Sequence, residues 1–225
     1  SMQWKSPKHP NFATNTGEKR SINRVFCIAK NYEEHAVEMG GEIDRKRPFH
    51  FQKSFDSICF GPDVRYPSHT ESLHYEIELV VILGSGGINM TLDQAELAIY
   101  GYAVGIDFTR RDRQNEAKDK GRPWEIAKNF DDSALLGTVT PKSDIGLLEE
   151  GSITLDVNGK RRQTGDLNQM AYQTVELIRF LSTLQELKAG DIVYTGTPSG
   201  VGSVVRGDLL TGQVDRLCPI EVRII

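Results

Sequence analysis

Acidic side chains alternate with apolar ones in the segment SLHYEIELVVIL, which spans residues 72–83. If this segment is a β-strand, Glu76 and Glu78 share one face and lie about 7 Å apart along the strand. His74 continues the same row at one end, and Val80 continues it into an apolar run. An exposed edge strand would explain the row, because glutamate is usually exposed. Beside a core, the two carboxylates would need a cation between them, and oxygen ligands favour Mg²⁺, Mn²⁺ or Ca²⁺.

A metal site of this kind needs a third oxygen ligand, and Asp107 is the candidate. It ends the apolar segment YAVGID, which reads as another buried strand. An Asp in this position is also a common cap for a helix that follows. The sequence alone leaves both interpretations open.

Two further groups have side chains suited to proton transfer or charge stabilisation. His35 and Glu38 lie three residues apart in NYEEHAVEMGG, so a helix would bring their side chains together. A carboxylate that holds an imidazole raises its basicity, as a water-activating base requires, although such pairs are often plain surface contacts. Lys128 lies between aliphatic residues and Phe130, where it either extends to solvent or stabilises an enolate or carboxylate.

The segment TGTPSGVG, residues 195–202, is a glycine-rich loop after a predicted strand. It lacks the Lys-Ser/Thr pair of a phosphate-binding loop and the spacing of a dinucleotide fingerprint. Its backbone N–H groups and the Thr197 hydroxyl could hold a carboxylate, or the segment is simply a tight turn. No G-x-S-x-G motif occurs, which argues against a serine hydrolase.

The elements that must position these residues are mostly strands. Strands are predicted in 22–30, 47–61, 72–83, 101–107, 189–202 and 219–225, with a hairpin at Asn158-Gly159. Helices are predicted in 31–41, 110–121 and 171–184, and after Thr91, where Gln94 completes a capping box. The 110–121 helix is highly charged and is expected to face solvent. This order predicts an α+β, mostly β domain and not a (β/α)₈ barrel.

Composition narrows the functional classes. The 225 residues are 38% hydrophobic and 26% charged, with a net charge of −4, which argues against a nucleic-acid partner. No apolar run is long enough to span a membrane, and the three cysteines form no C-x-x-C motif. A cytoplasmic location is therefore expected. Residues 1–20 are polar and predict an N-terminal arm that is loosely ordered or packs as an edge, followed by a single domain over 21–225.

Several motifs together, in register, resemble the fumarylacetoacetate hydrolase family over about residues 22–225. The motifs are CIAKNYEEHAVEMG, HYEIELVVIL, GYAVGIDFTRRDRQNEAKDKGRPWEIAKNFD, LDVNGKRRQTGDLNQM and LKAGDIVYTGTPSGVG. The resemblance implies a fold of rolled mixed β-sheets with a few short helices, a single catalytic domain over residues 21–225, and a homodimer.

The resemblance also implies roles for nine residues. Glu76, Glu78 and Asp107 would bind one Mg²⁺ or Mn²⁺ per chain; His35 and Glu38 would activate water; Lys128 would be the active-site lysine; and Arg111, Gln114 and Thr197 would bind the oxo-acid end of the substrate. Two departures from the family pattern stand out. Ala29-Lys30 replaces the usual Gly-Arg, and Lys53-Ser54 replaces Lys-Pro, which is expected to loosen that turn.

Within the family, the motifs are most similar to those of fumarylpyruvate and acylpyruvate hydrolases. The resemblance implies metal-dependent cleavage of a C–C bond in a 2,4-dioxo acid, to pyruvate and a carboxylate, in aromatic-compound catabolism. The adjacent Arg110 and Arg111 suit a dianionic substrate, and residues 33–45 are expected to set acyl specificity. The alternatives are an oxaloacetate decarboxylase, an isomerase of unsaturated oxo acids, or a non-enzymatic metal-binding protein on the same scaffold.

Overall fold

Strands dominate the computed structural model, which describes residues 2–225 of the chain. The strands are β1 Asn11–Ala13, β2 Lys19–Ser21, β3 Val25–Ala29, β4 Phe49–Lys53, β5 Ile58–Cys59, β6 Asp63–Val64, β7 Leu73–Tyr75, β8 Ile77–Leu83, β9 Ile99–Asp107, β10 Thr109–Arg110, β11 Ala134–Leu136, β12 Thr140–Pro141, β13 Ser152–Val157, β14 Lys160–Asp166, β15 Ile192–Tyr194, β16 Gly202–Val204, β17 Leu209–Val214 and β18 Ile220–Ile224. The helices are α1 Glu33–Glu38, α2 Leu92–Ala98, α3 Arg111–Lys120, α4 Glu125–Lys128, α5 Lys142–Ile145 and α6 Thr174–Leu184, with 3₁₀ turns at Phe55–Ser57 and Leu167–Gln169. The predicted α+β, mostly β fold class is confirmed.

The strands form two large sheets and two small ones. The largest has the strand order β4-β3-β15-β8-β9-β11-β5, with β12 also paired to β9, and it mixes parallel and antiparallel pairs. A five-stranded sheet has the order β14-β13-β17-β18-β6, and β7 lies between β10 and β16 in a three-stranded sheet. The central strands β8 and β9 are buried on both faces, as their apolar sequences require.

The segment 72–83 is divided between two sheets, so the prediction of one continuous strand is wrong at one residue. The chain leaves β7 at Tyr75 and enters β8 at Ile77. At the break, the side-chain oxygen of Gln163 accepts the Ile77 N–H at 2.9 Å and replaces a ladder bond. Beyond the break, successive side chains still point to opposite faces of the sheet. Leu79 packs in the larger core and Val80 in a smaller core on the other face.

Local sequence signals account for several of the other elements. The side chain and backbone of Thr91 and Gln94 bond reciprocally at the start of α2, which confirms the predicted capping box. Asn158 and Gly159 have φ angles of 51° and 79°, as a tight hairpin turn between β13 and β14 requires. Helix α6 buries one apolar stripe that includes Leu177 and Leu181.

The N-terminal segment packs on the domain as an edge. Residues 2–10 contain no strand or helix, whereas β1 and β2 pair as a hairpin. Phe12 in β1 is buried in the smaller core, and the His9 ring stacks on Phe55 at 4.0 Å. Of the two forms expected for this arm, residues 11–20 therefore adopt the packed one, and the domain boundary at residue 21 stays a prediction.

None of the helices in residues 2–225 has the length and apolar character required to cross a lipid bilayer. The homodimer and the cytoplasmic location stay predictions.

Candidate metal centre and adjoining cavity

Three carboxylates converge where the strand break meets the end of β9. The β8–β9 register pairs Ile77 with Ile106, so Glu76 lies opposite Asp107 across the two antiparallel strands. One oxygen from each of Glu76, Glu78 and Asp107 lies within 4.8 Å of the others. All three side chains are buried, with at most 4% of each residue exposed. The exposed-edge alternative is therefore wrong, as is the helix-cap role for Asp107, because α3 begins only at Arg111.

The Glu76 carboxylate is held by two cations. Arg111 Nη2 donates to Glu76 Oε2 at 2.6 Å, and Lys128 Nζ lies 3.3 Å from Glu76 Oε1. Burial raises the pKa of Glu76, but the Lys128 and Arg111 charges outweigh it, so the pKa falls below its usual value. Glu76 is therefore ionised in the folded chain.

The Glu78 carboxylate is poorly compensated. The Gly196 N–H donates to Glu78 Oε1 at 2.9 Å, but Glu78 Oε2 is buried without a hydrogen-bond partner among residues 2–225. Burial, followed by the charges of Asp107 and Glu76, raises the pKa of Glu78 well above its usual value. A buried oxygen without a donor, beside two further carboxylates, fits a divalent cation as the missing partner.

Lys53 belongs to this centre, although the sequence interpretation did not include it. Its Nζ lies 2.7 Å from Asp107 Oδ1 and donates to the backbone oxygens of Phe108 and Ser133 at 2.9 and 3.0 Å. In the next turn the Ser54 N–H, which a proline would lack, donates to Asn129 Oδ1 at 2.9 Å, and the expected loosening stays a prediction. The signal that could have revealed Lys53 is a lysine at the end of a strand with alternating aromatic residues.

Lys53→Met is expected to lower the free energy of unfolding by about 3–5 kcal/mol, because it breaks a buried ion pair with Asp107 and leaves two buried backbone oxygens without their donor. Urea denaturation of the metal-free protein measures this effect, and the exposed Lys160→Met in the β13–β14 hairpin is the matched control. Equal stability of the two variants would show that the Lys53–Asp107 pair contributes nothing to folding.

The predicted proton-transfer pair is formed in helix α1. His35 Nδ1 lies 2.9 Å from Glu38 Oε2, and the Gly200 N–H donates to Glu38 Oε1 at 3.0 Å. Burial raises the pKa of Glu38, but the hydrogen bonds from His35 and Gly200 outweigh this effect, so the pKa falls below its usual value and the carboxylate stays charged. The contact engages Nδ1 of the mostly buried imidazole, so Nε2 remains to accept a proton.

Helix α3 turns a polar face towards the centre, so the expectation that the whole helix faces solvent is wrong. Arg111 and Gln114 are 5% and 3% exposed, whereas other residues of the helix are exposed. Arg111 Nη1 donates to Gln114 Oε1 at 2.6 Å, and Nε donates to His74 Nδ1 at 3.1 Å. Burial and the Arg111 charge lower the pKa of His74 to about 4, which keeps the accepting nitrogen unprotonated.

Lys128 ends helix α4 and points inward. It is 2% exposed, so extension to solvent is excluded. Its Nζ donates to Asp107 Oδ2 at 3.1 Å and to Thr109 Oγ1 at 2.8 Å. Burial lowers the pKa of Lys128, but Asp107 and Glu76 outweigh it and raise the pKa above its usual value. The side chain is therefore a fixed positive charge beside the carboxylates.

The glycine-rich loop supplies both a backbone donor and a side chain to this region. Gly196 has a φ angle of 104°, and a Cβ there would lie 2.8 Å from the Asn31 Cβ atom. The Thr197 hydroxyl is buried and accepts from Gln163 Nε2 at 2.8 Å, and the same nitrogen donates to the Pro198 oxygen. The loop therefore does more than turn the chain, and Gln163 is a second supporting residue that the sequence interpretation missed.

A cavity opens onto these groups. Of the nine predicted site residues, all except Glu38 and Glu78 line it; Glu38 is bonded to His35, and a Glu78 oxygen lies within 4.8 Å of one from Glu76. Its remaining wall includes the apolar groups of Phe51 and Trp124. The cavity thus combines charged and polar side chains with an apolar wall, as is usual for small-molecule sites.

Arg110 does not line this cavity. Its guanidinium donates to the backbone oxygens of Ser68 and Ile126 and lies 4.5 Å from the Phe130 ring centroid. The expectation that Arg110 acts with Arg111 on a dianionic substrate is therefore wrong, because its donors are already engaged elsewhere.

Comparisons with known proteins agree with one another. Residues 24–225 match the family described as fumarylacetoacetate (FAA) hydrolase C-terminal. The chain is 40% identical over 189 residues to a fumarylpyruvate hydrolase of Ralstonia sp, an alignment that covers 83% of this chain and 98% of that one. It is 38% identical over 196 residues to an oxaloacetate tautomerase of Escherichia coli, covering 86% and 89%. The crystal structure of a Pseudomonas aeruginosa fumarylpyruvate hydrolase with Mn²⁺ and pyruvate superposes with a TM-score of 0.96 at 39% identity, covering 100% of this chain and 99% of that one.

Proposed function

The chain belongs to the fumarylacetoacetate hydrolase family, and on this premise we propose that it is a metal-dependent enzyme that hydrolyses the C3–C4 bond of a 2,4-dioxo acid. Fumarylpyruvate or another acylpyruvate would be the substrate, and pyruvate and a carboxylate would be the products. Such a reaction suits a step in aromatic-compound catabolism.

The observation that carries this proposal is the position of His35, held by Glu38, on the same cavity as a carboxylate cluster in which Glu78 lacks a compensating charge. A cation site alone would suit any enolate chemistry. A supported imidazole beside it adds a base that can activate water, which hydrolysis requires.

Glu76, Glu78 and Asp107 would hold one Mg²⁺ or Mn²⁺, in keeping with their oxygen donors and with the Mn²⁺ and pyruvate in the Pseudomonas relative. When bound, such an ion supplies Lewis-acid polarisation of the substrate's oxo group.

The chain's own residues would manage the proton and the charge. Nε2 of His35 takes a proton from water while Glu38 stabilises the imidazolium that forms, and the water oxygen bonds to the C4 carbonyl carbon. The C3–C4 bond breaks, its electron pair forms the enolate of pyruvate, and that enolate takes up a proton to give pyruvate. The fixed charge of Lys128 stabilises the enolate in a pocket with little water.

Three further side chains would position the oxo-acid end of the substrate. Arg111 and Gln114 approach from α3, and the Thr197 hydroxyl approaches from the glycine-rich loop. Because each is already held by a hydrogen bond to its neighbours, little side-chain freedom is lost when substrate binds.

A second candidate function is enolate chemistry on oxaloacetate, by tautomerisation or decarboxylation. The similarity to the Escherichia coli tautomerase favours it. These reactions would use the same cation and the same lysine. No water attacks the substrate in them, so they do not need His35 as a water-activating base.

Product analysis by NMR tests the proposal directly. With Mn²⁺ present, fumarylpyruvate is expected to give pyruvate and fumarate in equal amounts, at a rate at least about 10⁶-fold above the uncatalysed reaction, because enzymes reach such accelerations. Oxaloacetate and acetylpyruvate are tested in parallel. Rapid conversion of oxaloacetate, with no cleavage of either acylpyruvate, would replace the hydrolase proposal with the second candidate.

A further inference from the structure

Two lysines line the outer part of the cavity without a carboxylate partner. Lys30 follows β3 and Lys118 lies in α3; both are half-buried. Within residues 2–225, neither ammonium group lies within ion-pair distance of a carboxylate, whereas Lys128 and Arg111 deeper in the cavity are paired. An ammonium group on a cavity wall without a carboxylate partner is available to an anion, so these two groups can bind a partner from outside the chain.

The charge balance of the cavity points the same way. Its walls carry four cationic side chains, those of Lys30, Arg111, Lys118 and Lys128, against the two carboxylates of Glu76 and Asp107. Burial, followed by the charges of Lys30, Arg111 and Lys128, lowers the pKa of Lys118. A divalent cation at the carboxylates would add to this positive excess, which an anionic substrate would relieve.

The backbone holds both lysines at the cavity. Lys30 adopts a left-handed conformation with a φ angle of 56°, which is unfavourable for a residue other than glycine. Gly41 leaves room for its side chain, because a Cβ there would lie 3.0 Å from Lys30 Nζ. Lys118 Nζ lies 5.4 Å from the centre of the Trp124 ring, which fixes its direction. Strain of this kind is concentrated at binding sites.

The acidic residues nearest to Lys30 do not form an ion pair with its ammonium group. Glu42 and Asp44 line a neighbouring cavity together with Lys30, but neither carboxylate comes within 4.0 Å of its ammonium group in the described chain. Asp44 is instead occupied with the backbone N–H groups of Lys46 and Arg47. The Lys30 ammonium group therefore lies beside Gly41 at the wall of both cavities, without a carboxylate partner in residues 2–225.

We propose that Lys30 and Lys118 form an anion subsite that binds a terminal carboxylate on the acyl group, which makes a dianionic acylpyruvate the preferred substrate. This inference rests on the proposed function for the position of the other end of the substrate. The oxo-acid end lies at the carboxylate cluster, and the two lysines take the distal end along the apolar wall formed by Phe51 and Trp124.

Binding of uncleavable analogues tests the subsite without depending on catalysis. 2-Oxoheptanedioate and 2-oxoheptanoate have the same chain length and differ only in the distal carboxylate, and each is titrated calorimetrically into the Mn²⁺-loaded protein. Wild type is expected to prefer the dianion by about 10-fold or more, since a bond to a charged group contributes that much. The Lys30→Met/Lys118→Met double variant is expected to lose this preference and to keep its affinity for the monoanion.

Matched variants separate the subsite from general charge effects. Lys120→Met removes an exposed charge from the same helix and is expected to keep the preference. Gly41→Ala, at a position with ordinary backbone angles, displaces only the end of the Lys30 side chain and is expected to weaken the preference in part. A double variant that prefers the dianion as strongly as wild type would overturn the subsite.

Turnover then distinguishes failure of the subsite from failure of the proposed function. The kcat/KM ratio of fumarylpyruvate to acetylpyruvate is expected to fall about 10-fold in the double variant. Cleavage with an unchanged ratio would reject the subsite and leave the hydrolase intact. If the double variant loses the binding preference, but wild type cleaves neither compound, the subsite is supported and the hydrolase is rejected.

Discussion

Glu78→Gln is expected to lower kcat/KM by about 10³-fold, because weakening the cation site removes several kcal/mol of charge stabilisation in the transition state. The substitution conserves the shape of the side chain and removes only its charge. Glu78 is the carboxylate with an unpartnered buried oxygen and a single backbone donor, so a cation is its main source of compensation. The other two carboxylates keep their Lys and Arg partners.

The same variant separates a binding defect from a folding defect. Without metal, Glu78→Gln is expected to be at least as stable as wild type, because burial and the charges of Asp107 and Glu76 already disfavour an ionised Glu78, as its raised pKa indicates. With Mn²⁺ added, wild type is expected to gain thermal stability in proportion to RT ln(1 + [Mn²⁺]/Kd), and the variant to gain much less. Glu221→Gln, at an exposed position of β18, is the control. If Mn²⁺ raised the Tm of Glu78→Gln as much as that of Glu221→Gln, Glu78 would be excluded as a ligand of the cation.

His35→Ala is expected to lower kcat for acylpyruvate cleavage by about 10²–10⁴-fold, the usual contribution of a general base. Binding of substrate is expected to change little, because the positioning groups lie in α3 and the glycine-rich loop. Conversion of oxaloacetate is expected to survive in this variant, since no water attacks that substrate. Parallel assays of the two substrates therefore separate a base for hydrolysis from a residue needed for the fold of the site.

The control for this experiment is Glu33→Ala, which changes an exposed residue of the same short helix. Circular dichroism and Mn²⁺ titration show whether His35→Ala keeps the fold and the cation site. Cleavage at the wild-type rate in a folded, Mn²⁺-loaded His35→Ala protein would rule out His35 as the base.

The parts of the site that could be predicted are those that depend on local pattern or on a motif. The alternation of Glu76 and Glu78 with apolar residues places both on one face whatever the strand pairs with. The spacing of His35 and Glu38 brings them together within one helical turn. The convergence of Asp107 on the first two carboxylates required the family resemblance, because it depends on the register of β8 and β9.

The parts that could not be predicted depend on long-range pairing. Lys53 reaches Asp107 from a strand 54 positions away in the chain, and Gln163 reaches Ile77 and Thr197 from the far side of a hairpin. The charged composition of α3 conceals a buried face, because Arg111 and Gln114 are buried although Ala117 is the one apolar residue of the helix. Burial of polar groups follows tertiary contacts, which composition does not encode.

The register between β8 and β9 has a consequence for how this chain can change over evolutionary time. Inserting or deleting one residue within either strand would move every later side chain to the opposite face and carry Asp107 away from Glu76. Length changes between the two ligand-bearing strands are therefore confined to the connection over residues 84–98, outside the ladder. Relatives that keep the cation should diverge in length there and stay invariant in length from Glu76 to Ile82 and from Gly101 to Asp107, where the ladder has no register shift.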